Sequence, residues 1–114
     1  MLFRSSWAFS NQEAFWGRHR TDKDGQPIPP SGGWAGKWNR EDWQSIAFLP
    51  STLDECLRRL KYHPDAILNG WAELGWLETD SDRKSRVTKR LRINGDAVRV
   101  VVVSRVAIED VEAA

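Results

Sequence analysis

Apolar residues recur at helical spacing between residues 64 and 75. They lie on one stripe, formed by Ile67, Leu68, Trp71 and Leu74. This spacing predicts an amphipathic helix. Pro64 suits the first turn, and Gly75 follows the last apolar residue, where a left-handed cap favours glycine. The sequence therefore predicts one helix with both of its ends marked.

The pattern changes to strand-like alternation after residue 86. Residues 86–93 and 97–104 flank Asn94-Gly95, a strong signal for a two-residue hairpin turn. In that register Ile93 pairs with Asp96, and Arg90 lies opposite Arg99. A helix followed by a hairpin is the second half of a winged helix. We therefore expect an α+β fold, a winged helix-turn-helix with a basic C-terminal β-hairpin wing.

A second amphipathic stripe precedes this helix. It consists of Leu53, Cys56, Leu57 and Leu60. Ser51 and Thr52 come directly before it and are candidate N-caps. Two apolar stripes of matching period must be buried together. We expect Leu57, Leu60, Trp71 and Leu74 to share one core.

The first half of the chain has weaker signals. Residues 10–13, Ser-Asn-Gln-Glu, match a capping box and predict a short helix to about residue 18. Residues 19–33 contain Asp24-Gly25, Pro27, Pro29-Pro30 and Gly32-Gly33 and predict a long loop. Residues 34–38 and 43–49 predict another hairpin, in which Trp38 faces Trp43.

Length and composition indicate a single domain, 1–114, that ends in an acidic tail, 106–114. Cys56 is the only cysteine, so no internal disulfide forms, and two histidines with one cysteine are too few for a structural zinc site. No apolar run has membrane length and no signal peptide is present. We expect a cytoplasmic protein without cofactor, metal or membrane partner.

Charge is distributed unevenly although the net charge is only +1. Residues 83–105 carry eight basic groups and one acidic group, whereas residues 41–82 carry three basic and nine acidic groups. A nearly neutral chain with one strongly basic segment indicates a local contact with an anion.

Candidate DNA-binding residues fall in two groups. The wing and its approach carry Arg83, Lys84, Arg86, Lys89, Arg90, Arg92 and Arg99. A second patch, at the end of the preceding helix, carries Arg58, Arg59 and Lys61. Two opposed arginines repel each other, which a phosphate or a carboxylate would relieve. The alternative is a solvated charged face that protects a sheet edge from aggregation.

The predicted recognition helix has few base-reading side chains. Asn69 is the only one of the usual type on its outer surface, which also carries Asp65 and Glu73. This composition favours non-specific contact with phosphates over sequence reading. The small, flat surface at Ala66 and Gly70 would also suit a protein partner.

Other chemistry is poorly supported. Trp34 and Trp38 could stack on unpaired bases, although a place in the core is the simpler interpretation. Cys56 falls on a buried stripe, and His19 and His63 have no evident partner. Gly32-Gly33 lacks the lysine and helix of a phosphate-binding loop. We therefore predict no enzyme activity.

Several short motifs resemble one family. They are Phe15-Trp16-Gly-Arg-His19, Asp24-Gly25, Gly33-Trp34, Phe48-Leu49-Pro50, Glu55-Cys56, Ala72-Glu-Leu-Gly-Trp-Leu77, Arg90-Leu-Arg-Ile93 and Arg99-Val-Val-Val-Val103. Together they resemble the C-terminal region of the large helicase and primase-helicase proteins of phages, plasmids and integrated mobile elements. The resemblance covers residues 11–103.

The resemblance implies a winged-helix accessory domain whose ATP-binding helicase core lies elsewhere. On this interpretation the chain is a non-catalytic DNA-binding domain that holds duplex or forked DNA with low sequence specificity. The alternative is a protein-interaction module that docks onto a helicase core or a replication partner. A dependence of binding on salt separates the two, because phosphate contacts weaken steeply as salt rises.

Overall fold

A computed structural model of the chain describes residues 3–4, 6–79 and 87–109. The helices in this part are α1 (Ser6–Ser10), α2 (Pro50–Arg59) and α3 (Pro64–Glu73). The strands are β1 (Phe3–Arg4), β2 (Phe15–Trp16), β3 (Arg20–Thr21), β4 (Pro27–Ile28), β5 (Gly36–Lys37), β6 (Ser45–Phe48), β7 (Leu77–Glu78), β8 (Lys89–Ile93), β9 (Asp96–Ser104) and β10 (Ile108–Glu109). Helical 3-10 turns span Gln12–Ala14 and Arg105–Ala107.

The main sheet is centred on β9. Its strand order is β2-β5-β6-β9-β7, and β8 pairs with β9 to form the wing. The pair β2–β5 is parallel, and the other pairs of this sheet are antiparallel. Two smaller pairs lie outside it: β1 runs parallel to β10, and β3 forms a hairpin with β4.

The two faces of β9 belong to different apolar clusters. Val101 and Val103 pack with Leu57 and Trp71 of the helices, so we call this side the helix-bearing face. Val100 and Val102 pack on the other side with Ala47, which we call the opposite face. Successive residues of a strand point to opposite faces, so the register of β9 decides which side every residue of the wing occupies.

Helices α2 and α3 form the helix-turn-helix, and α3 has the predicted ends. Pro64 occupies its first turn, and Gly75 has a left-handed φ of +75° after its last turn. The amide of Trp76 then donates to the Trp71 carbonyl at 2.9 Å, which satisfies a carbonyl left over at the helix end. The predicted Ser51 and Thr52 caps are wrong, because both residues lie inside α2. The helix begins at Pro50, and Leu49 holds the N-cap position.

The winged helix-turn-helix prediction is confirmed, together with the register of its wing. Asn94 and Gly95 have φ values of +52° and +85°, the left-handed pair that a tight hairpin turn requires. Ile93 pairs with Asp96, and Arg90 pairs with Arg99. Strand β8 begins at Lys89, later than the predicted residue 86.

The capping-box prediction near the N-terminus is wrong. Helix α1 ends at Ser10, where the pattern predicted a helix start, and a 3-10 turn then leads into strand β2. Phe15 is fully buried, but it lies in a strand and not in a helix. Its ring makes edge contacts with the rings of Trp38 and Phe48 at centroid distances of 5.5 and 5.6 Å. Tertiary burial of one aromatic residue thus overrides the local helix signal.

The two other predictions for this half are refined. The segment 19–33 contains the small β3–β4 hairpin, whose turn is held by Asp22: one carboxylate oxygen accepts from the amides of Asp24 and Gln26, each at 2.9 Å. The hairpin of residues 34–49 forms, but Lys37 pairs with Ala47, so its turn is longer than predicted. Trp38 and Trp43 still touch, ring edge to ring face, at 5.4 Å.

Two predicted core residues are exposed. Trp71 and Leu57 are buried as expected, whereas Leu60 is 44% exposed and Leu74 is 57% exposed. Both exposed leucines lie just beyond the last turn of a helix, where the chain turns away from the core. The predicted tail, 106–114, also starts too early, because Ala107 and Ile108 are buried.

Gly36 is the point of closest approach in the sheet. A Cβ atom on Gly36 would lie far inside contact distance of the carbonyl oxygen of Ala47 on the neighbouring strand. A contact with backbone at that distance forces the two strands apart, so only glycine fits. Gly32 is a matched control, because nothing lies within 4 Å of its Cβ position.

We expect Gly36→Ala to lower the free energy of unfolding by at least about 1–3 kcal/mol, the usual cost of overpacking. Gly32→Ala should change it by less than about 0.5 kcal/mol, as at other open surface sites. Urea denaturation followed by circular dichroism measures both. Equal stabilities for the two variants would contradict the β5–β6 register.

We also expect Trp71→Ala to destabilise the protein by about 3–5 kcal/mol, because it opens a cavity between the helices and the sheet. Leu74→Ala, on the same helix stripe but exposed, should cost less than about 1 kcal/mol. The same urea titrations test this difference. A larger loss for Leu74→Ala would show that the exposed leucine is buried in solution.

Candidate nucleic-acid interface

The arginines of the wing share one face. Arg90 and Arg92 alternate along β8, and their partners across the strands are Arg99 and Ala97. Arg99 lies two residues before Val101 on β9, so the three arginines project from the helix-bearing face. We call Arg90, Arg92 and Arg99 the wing arginines. Among the described residues of the wing, 89–104, Asp96 is the only acid.

Two of these side chains are oriented by hydrogen bonds within the wing. Arg99 Nη1 donates to the Thr88 hydroxyl oxygen at 3.1 Å, and Arg92 Nη1 donates to the Gly95 carbonyl at 2.9 Å. A guanidinium has five N–H donors in a planar fork, a geometry that suits the oxygens of a phosphate. Arg90 and Arg92 are exposed and Arg99 is half-buried. The arrangement is a hairpin that presents several cations to one side.

Lys89 differs from the wing arginines. It pairs with Val100, which places it on the opposite face of the sheet together with Leu91. The predicted basic stripe of the wing is therefore divided between two surfaces. Arg83, Lys84 and Arg86, the rest of the predicted stripe, lie outside the described residues.

The second predicted patch is largely neutralised by its own helix. Arg58 Nε lies 2.8 Å from Asp54 Oδ2, and Arg59 Nη2 lies 3.0 Å from Glu55 Oε1. The hydrogen bond and charge of Asp54 raise the pKa of the Arg58 guanidinium. Lys61 follows the helix with a left-handed φ of +66°.

The outer surface of α3 has the predicted composition. Asp65, Ala66, Asn69 and Glu73 are exposed, and Gly70 and Ala72 are half-buried. Two carboxylates on a surface that would enter a major groove oppose the negative charge of DNA. Asn69 is its single side chain of the type that reads bases.

The candidate tryptophans separate into two kinds. Trp38 is fully buried, so stacking of Trp38 on a base is ruled out. The Arg18 guanidinium lies over the Trp38 ring, 3.8 Å from its centroid, and covers it. Trp34 is half-buried and stays at the surface.

His19 has partners that the sequence did not reveal. Its ring stacks on Trp16 with centroids 4.3 Å apart and lies 5.4 Å from the Trp34 ring. Its Nδ1 accepts a hydrogen bond from the Gly17 amide at 3.1 Å. Gly17 has a φ of +106°, a left-handed value that folds the chain back so that His19 reaches Trp16. The motif Trp16-Gly-Arg-His19 is visible in the sequence, but the stacking of its two rings is not.

The remaining candidate chemistry has little support in the structure. Cys56 is buried at the end of the apolar stripe of α2, and no group of three or more metal-ligating side chains occurs among the described residues. In the same part of the chain, no helix is long and apolar enough to cross a membrane.

Comparison with known families agrees with the fold. The profile of the Cch helix turn helix domain matches residues 3–105, nearly the whole chain. The chain therefore belongs to this family, and membership of a helix-turn-helix family indicates nucleic-acid binding. No curated protein matches the chain.

We expect Cys56 to resist alkylation in the folded protein. Burial raises the pKa of its thiol above the ordinary value; the charge of Arg59 opposes this shift and that of Glu55 adds to it. The neutral thiol is a weak nucleophile, so iodoacetamide at pH 8 should modify Cys56 only after unfolding in urea. Because the folded pKa is raised, the contribution of the thiol to stability is complete below its unfolded pKa and is lost as pH rises through the folded value. Rapid modification in the native state, read by mass spectrometry, would contradict the buried position.

Proposed function

We propose that this member of the Cch helix-turn-helix family holds DNA by its phosphates, through the wing arginines Arg90, Arg92 and Arg99. The observation that supports the proposal is their common position on the helix-bearing face of a hairpin with a fixed register. Guanidinium groups form paired hydrogen bonds with phosphate oxygens. Three guanidinium groups on two neighbouring strands could contact more than one phosphate of a nucleic-acid backbone.

We propose low sequence specificity for this contact. Arginine contacts with phosphate carry no sequence information, and α3 offers only Asn69 for direct reading. Asp65 and Glu73 would lie against phosphates if α3 entered the major groove deeply. Binding should therefore depend on charge more than on the order of bases.

The other predicted cations have graded roles in this proposal. Arg58 and Arg59 contribute less than the wing arginines, because Asp54 and Glu55 already offset their charge. Lys61 extends the second patch. Arg83, Lys84 and Arg86 are proposed to continue the cationic stripe from the approach to the wing.

We further propose that the chain acts as a non-catalytic accessory domain of a mobile-element replication helicase or primase-helicase. The support is the resemblance described above, including the Gly75-Trp76-Leu77 step that leads out of α3. In this role residues 1–114 act as one DNA-holding domain. The helicase chemistry belongs to another part of the assembly.

A second candidate function is docking onto a helicase core or another replication protein. It is favoured by the exposed apolar residues of the helix-turn-helix, since Leu60 and Leu74 are 44% and 57% exposed. Ala66 and Gly70 add a small, flat surface next to them on α3. An apolar interface of this kind would be far less sensitive to salt than phosphate contacts.

We expect Arg90→Ala with Arg99→Ala to reduce affinity for two unrelated DNA duplexes by about the same factor. The slope of log affinity against log salt should shrink by roughly one to two units, because one or two phosphate contacts are lost. The measurement is fluorescence-anisotropy titration at several salt concentrations. Circular dichroism melting verifies that the double variant is folded.

The matched control is Arg20→Ala with Lys23→Ala, which removes the same charge from the exposed β3–β4 hairpin. It should leave the salt slope unchanged. If the control and the wing variant weaken binding equally, the contact is general and the wing has no special role. If wild type binds neither duplex at low salt, docking onto protein becomes the better proposal.

A further inference from the structure

Three aromatic rings form a compact group at the surface of the opposite face. Trp16 and His19 stack at 4.3 Å with an angle of 18°, and the Trp34 ring meets both at 5.4 Å, nearly perpendicular to Trp16. All three are half-buried. We call Trp16, His19 and Trp34 the aromatic platform. Trp38, Trp43 and Trp71 are buried in the main core and Trp7 and Trp76 are half-buried against it, whereas Trp16 and Trp34 pack on the opposite face.

A cationic cleft lies beside the aromatic platform. Four residues form one row across the sheet: Trp16 pairs with Lys37, Lys37 pairs with Ala47, and Ala47 pairs with Val102. The side chains of this row share one face of the sheet. Lys37 and Lys89 line a cleft of about 200 Å³, together with Asn39, Ser45, Ala47, Glu78, Leu91 and Val102.

The charges of the cleft leave room for an anion at one end. Ser45 Oγ donates to Glu78 Oε2 at 3.3 Å, which holds the carboxylate on the β7 side. Lys37 lies toward the aromatic platform, on the far side of β6 and β9 from Glu78. A cation beside accessible aromatic rings is the combination that binds an unpaired nucleotide, with its base on a ring and its phosphate on the lysine.

We propose that the opposite face binds single-stranded nucleic acid, with a base stacked on the aromatic platform, the adjacent phosphate at Lys37 and a further phosphate along the cleft at Lys89. This site is separate from the wing arginines, which project from the helix-bearing face. The inference rests on the proposed nucleic-acid function and extends it to unpaired strands. Stacking requires a base with a free face, so a paired duplex does not fit this surface.

The competing explanation is that the platform only covers the second apolar cluster. Trp16 and Trp34 do pack against Val100, Val102 and Ala47. Covering a cluster requires apolar volume but no aromatic ring. Substitutions that keep the volume and change the ring therefore distinguish binding from packing.

The test compares Trp34→Leu with Trp34→Phe. Each is titrated with a fluorescent 12-nucleotide oligothymidylate, its oligouridylate equivalent, an abasic strand of the same charge, and a duplex. We expect Trp34→Leu to weaken binding of both base-bearing strands roughly 5- to 100-fold, the usual effect of losing one stacked base. Trp34→Phe should retain most of the affinity, and duplex binding should not change. The abasic strand should bind wild type weakly.

Folded Trp34→Leu with wild-type affinity for the base-bearing strands would overturn the proposal. So would equal binding of the abasic strand, because charge alone would then explain the contact. If Trp34→Leu fails to fold, Lys37→Gln replaces it and should lower the salt slope for oligothymidylate but not for duplex. An unchanged slope overturns the site.

The duplex arm separates this proposal from the preceding one. Wild type that binds duplex but neither single strand refutes the single-strand site and leaves the wing contact standing. Wild type that binds single strands through Trp34, but not duplex, refutes the wing contact and supports the platform.

Discussion

Burial of β9 on both faces is the constraint on which this structure depends. Val100, Val101, Val102 and Val103 are each no more than 2% exposed, and alternate valines belong to different apolar clusters. A slip of one residue would exchange the faces of every side chain on the strand. It would move charged wing residues against the core, so the register is strongly fixed. The positions of the wing arginines follow from this packing and not from any attraction between the charges themselves.

The fold could be predicted from the sequence where local signals and burial agree. Asn94-Gly95 sets the turn by its backbone preference, and the valine run sets the faces, so the wing register is correct to the residue. Prediction failed where a long-range contact decides. The capping box predicts a helix at residues 10–18, but burial of Phe15 between other aromatic rings favours a strand there. Helical period predicts that Leu74 is buried, but period alone does not show where a helix leaves the sheet.

The wing arginines could be predicted from the sequence and the aromatic platform could not, because only the first depends on local pairing. Alternation alone placed Arg90 opposite Arg99, because strand partners follow from a known turn. The same alternation puts Lys89 on the other face. A count of charges along residues 83–105 does not show this, because it does not distinguish the two faces of a strand. The stacking of His19 on Trp16 depends on the left-handed Gly17 and on a parallel strand pair brought together from distant residues. Neither has a reliable local signature.

Under the two proposals, the sheet would contact a nucleic acid at two separate surfaces. The wing arginines and the aromatic platform lie on opposite faces and on different strands, so a duplex and an unpaired strand would not compete for the same side chains. At a junction between paired and unpaired DNA both would be held at once, and the second contact would benefit from a high effective concentration. Such a domain would prefer a fork to either strand form alone, without reading its sequence. Because both surfaces depend on the register of β9, a substitution that disturbs the valine packing should impair both contacts together.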